Sequence, residues 1–116
     1  MEGFFRFGSP FLQIDVEGKE VEALLDTGFN GHLMLPQIII DELALDQIGI
    51  SDYITASGGR NLTKVYKGKV MFLDEHVDIP ILSTEAKIVL AGFALFKNCR
   101  IVIDMKKELL EISKSI

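Results

Sequence analysis

The sequence predicts an all-β domain with one or two short helices, and three observations predict it. Apolar and polar residues alternate from Phe11 onward: Leu12, Ile14 and Val16 point one way, Gln13, Asp15 and Glu17 the other. A period of two is the mark of a half-buried strand. Short β-prone runs then recur along the chain, each closed by glycine, proline, asparagine or aspartate, as in domains built from hairpins. Finally, the one clearly helical pattern, around Ile38 to Leu45, covers about two turns. Eight or nine strands follow from this reading, arranged as a barrel or a sandwich.

The elements follow in order. Residues 4–7 are aromatic-rich and suit a short strand, which Gly8-Ser9-Pro10 breaks. The strand from Phe11 turns at Gly18-Lys19, a two-residue hairpin loop with glycine first. Glu20 to Ala23 alternate back, and Leu24-Leu25 lose the polar face as the strand enters the core. Leu33-Met34-Leu35 is an apolar strand stopped by Pro36, which opens a helix carrying Ile38, Ile39, Glu42, Leu43 and Leu45. Gly49 and Ser51-Asp52 read as a loop. Tyr53 to Ala56 and Leu62 to Tyr66 form a hairpin with the glycine-rich tip Ser57-Gly58-Gly59-Arg60-Asn61. A further hairpin joins Val70–Leu73 to Val77–Ile81 through Asp74-Glu75. Ile88 to Gly92 is a second buried run, Phe93 to Lys97 a helical turn or two, and Arg100–Asp104 and Glu108–Ser113 the last two strands.

Composition narrows the classes. The chain of 116 residues has a 48% hydrophobic and 25% charged content, the balance of one globular domain spanning 1–116. A net charge of −5 provides no basic footprint for nucleic acid. No apolar run approaches membrane-spanning length, and Met1 to Phe7 lacks the pattern of a signal peptide. Cys99 is the only cysteine, so no intrachain disulfide forms, which suits a cytoplasmic setting. Cys99 reads as a small buried apolar residue, His76 as solvent-facing and His32 as structural. Neither histidine has the companions of a metal site, so no metal or cofactor is expected.

The chemistry concentrates at Asp26-Thr27-Gly28. A carboxylate placed directly after Ala23-Leu24-Leu25 lies near the core, where an ionised acid is costly unless held by hydrogen bonds. Thr27 and Gly28 supply a hydroxyl and backbone freedom for a tight loop. A plain β-turn capped by Asp26 would show the same triplet, so its neighbours must discriminate. A glycine-tipped hairpin follows about 30 residues later, then the buried run Ile88-Val89-Leu90-Ala91-Gly92.

This ordered constellation resembles the retroviral-type (retropepsin-like) aspartic proteases, in particular their small single-domain prokaryotic relatives, over nearly the whole chain from about Phe11 to Ile112. Asp26-Thr27-Gly28 matches the first signature and Val89-Leu90-Ala91-Gly92 the second. The resemblance implies a closed β-barrel of the acid-protease type. It makes Asp26 the catalytic aspartate, Thr27 the hydroxyl bracing two loops across a dimer, and Gly28 the close-approach position beside substrate. Ser57, Gly58, Gly59 and Arg60 become the flap tip, and with Phe29, Asn30 and Leu90 they line the substrate. Phe29-Asn30-Gly31 departs from the small and acidic residues that follow the triplet in the viral enzymes. With one triplet in a chain too short for two lobes, the resemblance implies a homodimeric endopeptidase cutting peptide or protein substrates. Phe4, Phe5, Phe7 and the Leu109–Ile112 strand offer apolar edges for the partner. A non-catalytic homodimeric peptide-binding or scaffolding module on the same fold is the alternative; a structural β-domain is the third.

Overall fold

The computed structural model describes residues 1–54 and 57–116. Ten strands occur among them: β1 Phe4–Arg6, β2 Ser9–Val16, β3 Lys19–Asp26, β4 Leu33–Pro36, β5 Asp46–Ile54, β6 Arg60–Phe72, β7 Glu75–Thr84, β8 Leu90–Gly92, β9 Cys99–Asp104 and β10 Leu109–Lys114. One helix, α1 (Gln37–Glu42), follows β4, and a single 3₁₀ turn, Phe93–Phe96, follows β8. Eight strands form one sheet in the order β1-β2-β3-β8-β4-β7-β6-β5, and β2 pairs again with β6 through Asp15↔Met71 and Val16↔Val70. Most neighbours run antiparallel, but β3–β8 and β4–β7 are parallel. β9 and β10 make a separate two-stranded sheet.

The alternation in β2 and β3 works as the sequence predicts. Leu12, Ile14, Val16, Val21, Ala23 and Leu25 all face the main core, where they meet Leu33, Leu35, Ile40, Val70, Ile81, Leu110 and Ile112. Each of the larger side chains contributes roughly 1.5–3 kcal/mol by leaving water. Ile40 anchors α1, while Leu43 and Leu45 lie beyond its last turn and still pack on the core.

Three turns differ from expectation in one shared way. The first hairpin turns at Glu17-Gly18, not Gly18-Lys19: Val16 pairs with Lys19, and the two loop residues have φ of 50° and 87°. Phe7-Gly8 (52°, 78°) and Leu73-Asp74 (50°, 63°) repeat this geometry. Two positive φ values in a row match the right-handed twist of the flanking strands. Asp15 Oδ1 accepts the Gly18 N–H at 2.9 Å, which favours this placement. The break expected at Gly8-Ser9-Pro10 is therefore confined to Phe7-Gly8, and Pro10 lies inside β2 opposite Phe5.

The loop expected at Gly49 and Ser51-Asp52 is instead part of β5, which pairs with β6 from Asp46↔Lys67 to Ile54↔Arg60. The register shifts between Gln47 and Gly49, the usual meaning of a glycine inside a strand. Of the β-prone stretch 53–56, residues 55 and 56 lie outside the described residues.

The chain ends also differ. β10 is not an open edge: β9 flanks it on one side and residues 1–3 on the other, with the Gly3 N–H donating to the Leu110 carbonyl and the Ile112 N–H to the Met1 carbonyl, both at 2.8 Å. Its apolar side chains Leu110 and Ile112 are buried in the chain's own core. Phe4 stacks on Phe11, Phe5 packs against the core, and Phe7 stands fully exposed on its turn.

Candidate active site

Asp26 is the last residue of β3, as the apolar run before it predicts. The parallel pairing Leu24↔Leu90, Leu25↔Ala91 and Asp26↔Gly92 sets the two signature segments side by side, and the Leu24 N–H donates to the Val89 carbonyl at 2.9 Å. The chain then turns at once. The Gly28 N–H donates to Asp26 Oδ1 at 3.0 Å, and the Phe29 N–H to the Asp26 carbonyl at 3.2 Å. One backbone amide thus orients the carboxylate, while Oδ2 has no hydrogen-bond partner among the described residues. Asp26 is half-buried; Thr27 and Gly28 are exposed. The Thr27 hydroxyl makes no hydrogen bond among the described residues, so the local bond expected of it is not formed among them.

The loop from Phe29 to His32 is held from below by the second signature. Gly92 N–H donates to the His32 carbonyl (2.9 Å), Phe93 N–H to the Phe29 carbonyl (2.7 Å) and Ala94 N–H to the Gly31 carbonyl (3.1 Å). A side chain at Gly92 would run into the Gly31 carbonyl and the Phe29 ring. Glycine there is a matter of close approach.

Phe29 and Leu90 come together. Phe29, Met34, Val65 and Leu82 form a second apolar cluster with Leu90 packed against it. Neighbours in sequence divide between the clusters: Leu33, Leu35, Tyr66 and Ile81 belong to the main core, Met34, Val65 and Leu82 to the second. The second cluster therefore lies on the opposite face of β4, β7 and β6, the face that holds Phe29 of the Asp26 loop. Met34, Val65 and Leu82 were not singled out by sequence reasoning. Alternation marks Val65 as facing away from Tyr66, but it does not tell which face meets the loop.

The remaining expected residues lie elsewhere. Ser57, Gly58 (φ 85°), Gly59 and Arg60 sit at the exposed tip of the β5–β6 hairpin, where Arg60 pairs with Asp52 of the opposite strand. Asn30 is exposed and borders a hollow of about 460 Å³ with Phe93, Phe96, Lys97 and Ile101, apart from the second cluster.

His32 is half-buried, and burial pushes its imidazole pKa down. His76 is exposed, as expected. Cys99 is half-buried rather than buried; burial pushes its thiol pKa up, partly opposed by Lys114. A nucleophilic cysteine needs the reverse shift. No group of three metal-ligating side chains occurs among the described residues, and no helix there is long and apolar enough to cross a membrane.

No known family model matches the sequence, and no curated protein does. Solved structures do. A retropepsin-like aspartic protease from Rickettsia conorii superimposes with a TM-score of 0.74 at 22% identity, covering 99% of this chain and 89% of the other. EIAV protease complexed with the inhibitor HBY-793 matches with a TM-score of 0.63 at 16% identity, over 77% of this chain and 86% of that one. The protease of simian foamy virus (mac) matches at 0.54 and 17% identity, over 71% and 86%. At this identity the likeness speaks for the architecture, and on that ground the chain has the fold of the retropepsin-like aspartic proteases.

Proposed function

We propose that the chain is an aspartic endopeptidase working as a homodimer, each subunit contributing Asp26 to one water-activating pair. The observation that carries this reading is the Asp26 carboxylate itself: fixed by the Gly28 amide through Oδ1, open at Oδ2, and set beside Gly92 at the junction of both signature segments. Two such carboxylates face to face cannot both ionise, so they share a proton and titrate as a unit. The ionised member draws a proton from water as the water attacks the peptide carbonyl. The protonated member donates to the carbonyl oxygen as charge builds there.

The exposed Thr27 hydroxyl, without a hydrogen bond among the described residues, suits a bond to the partner's loop. The glycine at position 28 leaves room for substrate; a methyl added there would lie 3.3 Å from Asp26 Oδ1. An extended peptide would lie between the Asp26 loops and the 57–60 tips, with Phe29 and Leu90 beneath its apolar side chains and Asn30 at the rim. In this reading residues 1–116 are one domain, the β2–β6 pairing closes the sheet into a barrel, and the protein acts in the cytoplasm without nucleic acid, membrane, metal or cofactor.

The test is Asp26→Asn. The variant should keep the wild-type mass of a dimer in solution and lose cleavage of a mixed peptide library. Cleavage at the wild-type rate removes Asp26 from the chemistry; a wild-type protein that cleaves while strictly monomeric removes the shared pair. Peptide binding by a dimer that never cleaves would favour the non-catalytic module.

A further inference from the structure

β6 lies between β7 and β5, and the two ladders overlap only in part. From Phe72 back to Val65 it pairs with β7, ending at Val65↔Leu82. β5 pairs with the other edge of β6 from Lys67 to Arg60, so from Lys64 to Arg60 β5 is its one strand partner among the described residues. The hairpin that carries residues 57–60 therefore leaves the body of the sheet at residue 64.

At that junction a chain of hydrogen bonds takes over from the ladder. The Thr63 hydroxyl donates to the Ser83 carbonyl at 2.6 Å, a side chain standing in where backbone pairing has stopped. The Ser83 hydroxyl donates to Gln37 Oε1 at 2.5 Å. Gln37 Nε2 lies 2.9 Å from Asp41 Oδ1 and 3.1 Å from the Tyr66 hydroxyl, donating to both. Gln37 and Asp41 belong to α1, which Ile40 pins to the main core. Ser83 is the one buried polar residue among the described residues, and its hydroxyl is satisfied by the bond to Gln37, as a buried hydroxyl must be. Threonine is stiff about its first side-chain torsion, so its hydroxyl costs little to hold in place.

We propose that Thr63, held through Ser83 and Gln37, is a positioning residue that sets the resting angle of the 57–60 hairpin on the sheet, and with it how the tip closes over the Asp26 loop. The second half of that statement rests on the peptidase reading; the first does not. A surface hollow of about 650 Å³ lies over the junction, lined by Gln37, Asn61, Thr63 and Ser83 among others. Water entering there can replace the Thr63 bond, so the hairpin can lift without unfolding the core.

The test compares Thr63→Val, which keeps the shape and loses the hydroxyl, with Thr63→Ser, which keeps the hydroxyl. Ser83→Ala is a third variant that loosens Gln37 while sparing the Ser83 carbonyl. Amide hydrogen exchange is followed in residues 57–64 and, as an internal reference, in β2 and β3. Thr63→Val should speed exchange in the hairpin about five-fold relative to the reference, the effect of losing one net hydrogen bond. Thr63→Ser should match wild type, and Ser83→Ala should fall between. Peptide cleavage by Thr63→Val should show KM raised about five-fold with kcat within about two-fold, because closure binds ground and transition states alike. Hairpin exchange unchanged in Thr63→Val overturns the proposal, as does equal acceleration in Thr63→Ser. So does a uniform rise in hairpin and core with Ser83→Ala silent. The hairpin signature in a protein that cleaves nothing would leave the latch standing and the peptidase reading fallen; cleavage with unchanged exchange would do the reverse.

Discussion

Gly92→Ala tests the locking of the Asp26 loop directly. Gly92 has φ of −94° and ψ of 171°, angles any residue adopts, so glycine is present for space. An added methyl carbon would meet the Gly31 carbonyl oxygen, the Phe29 ring at 2.6 Å and the Phe29 carbonyl oxygen at 2.8 Å. Those two oxygens accept the Ala94 and Phe93 N–H groups at 3.1 and 2.7 Å. Room for the methyl comes only if both bonds lengthen, at about 1 kcal/mol each. Overpacking against the Phe29 ring costs a further 1–3 kcal/mol, roughly. The sum is about 3–5 kcal/mol, which for a chain of this size lowers Tm by roughly 12–20 °C. The control is Gly49→Ala, where an added methyl meets nothing within 4 Å and φ lies outside the left-handed region. It should leave Tm unchanged or raise it by a few degrees, since alanine restricts the unfolded chain by about 0.4–1 kcal/mol. Both are read by thermal unfolding followed by circular dichroism. A Gly92→Ala protein melting within about 3 °C of wild type would refute the close approach of the two signature loops.

Two further outcomes follow from titratable groups. Burial holds the His32 pKa below its usual 6.5, so the unfolded chain takes up a proton before the folded one does; stability is complete above that pH and declines as pH falls below it. His32→Gln should lessen the decline, seen as a smaller shift of the urea midpoint between pH 7.5 and 5.5; an equal shift in both proteins would count against it. The Cys99 thiol, pushed up by burial, should react with iodoacetamide at pH 7.5 about ten-fold more slowly in the folded protein than in urea. Equal rates would show an accessible, unperturbed thiol.

How much of this was legible beforehand differs by element. Strands β2 and β3 and the place of Asp26 follow from local pattern, because a period of two and an abrupt carboxylate need no knowledge of distant residues. Glu17-Gly18 was misplaced by one residue: Gly18-Lys19 also satisfies a glycine-first turn, and only the register Val16↔Lys19 decides between them. Gly49 and Asp52 look like loop residues until β6 supplies their ladder. Leu110 and Ile112 look like an available edge until residues 1–3 are laid beside them.

The sequence by itself determined that the chain is built from short strands and that one acid closes an apolar run, since alternation and polarity act within a few residues. Tertiary structure alone decided which residues surround that acid. The parallel seating of Asp26 beside Gly92, the grouping of Phe29 with Val65 and Leu90, and the grip of Thr63 on Ser83 each join segments 20 or more residues apart. Contacts of that kind depend on how the strands are ordered across the sheet, which no local window contains.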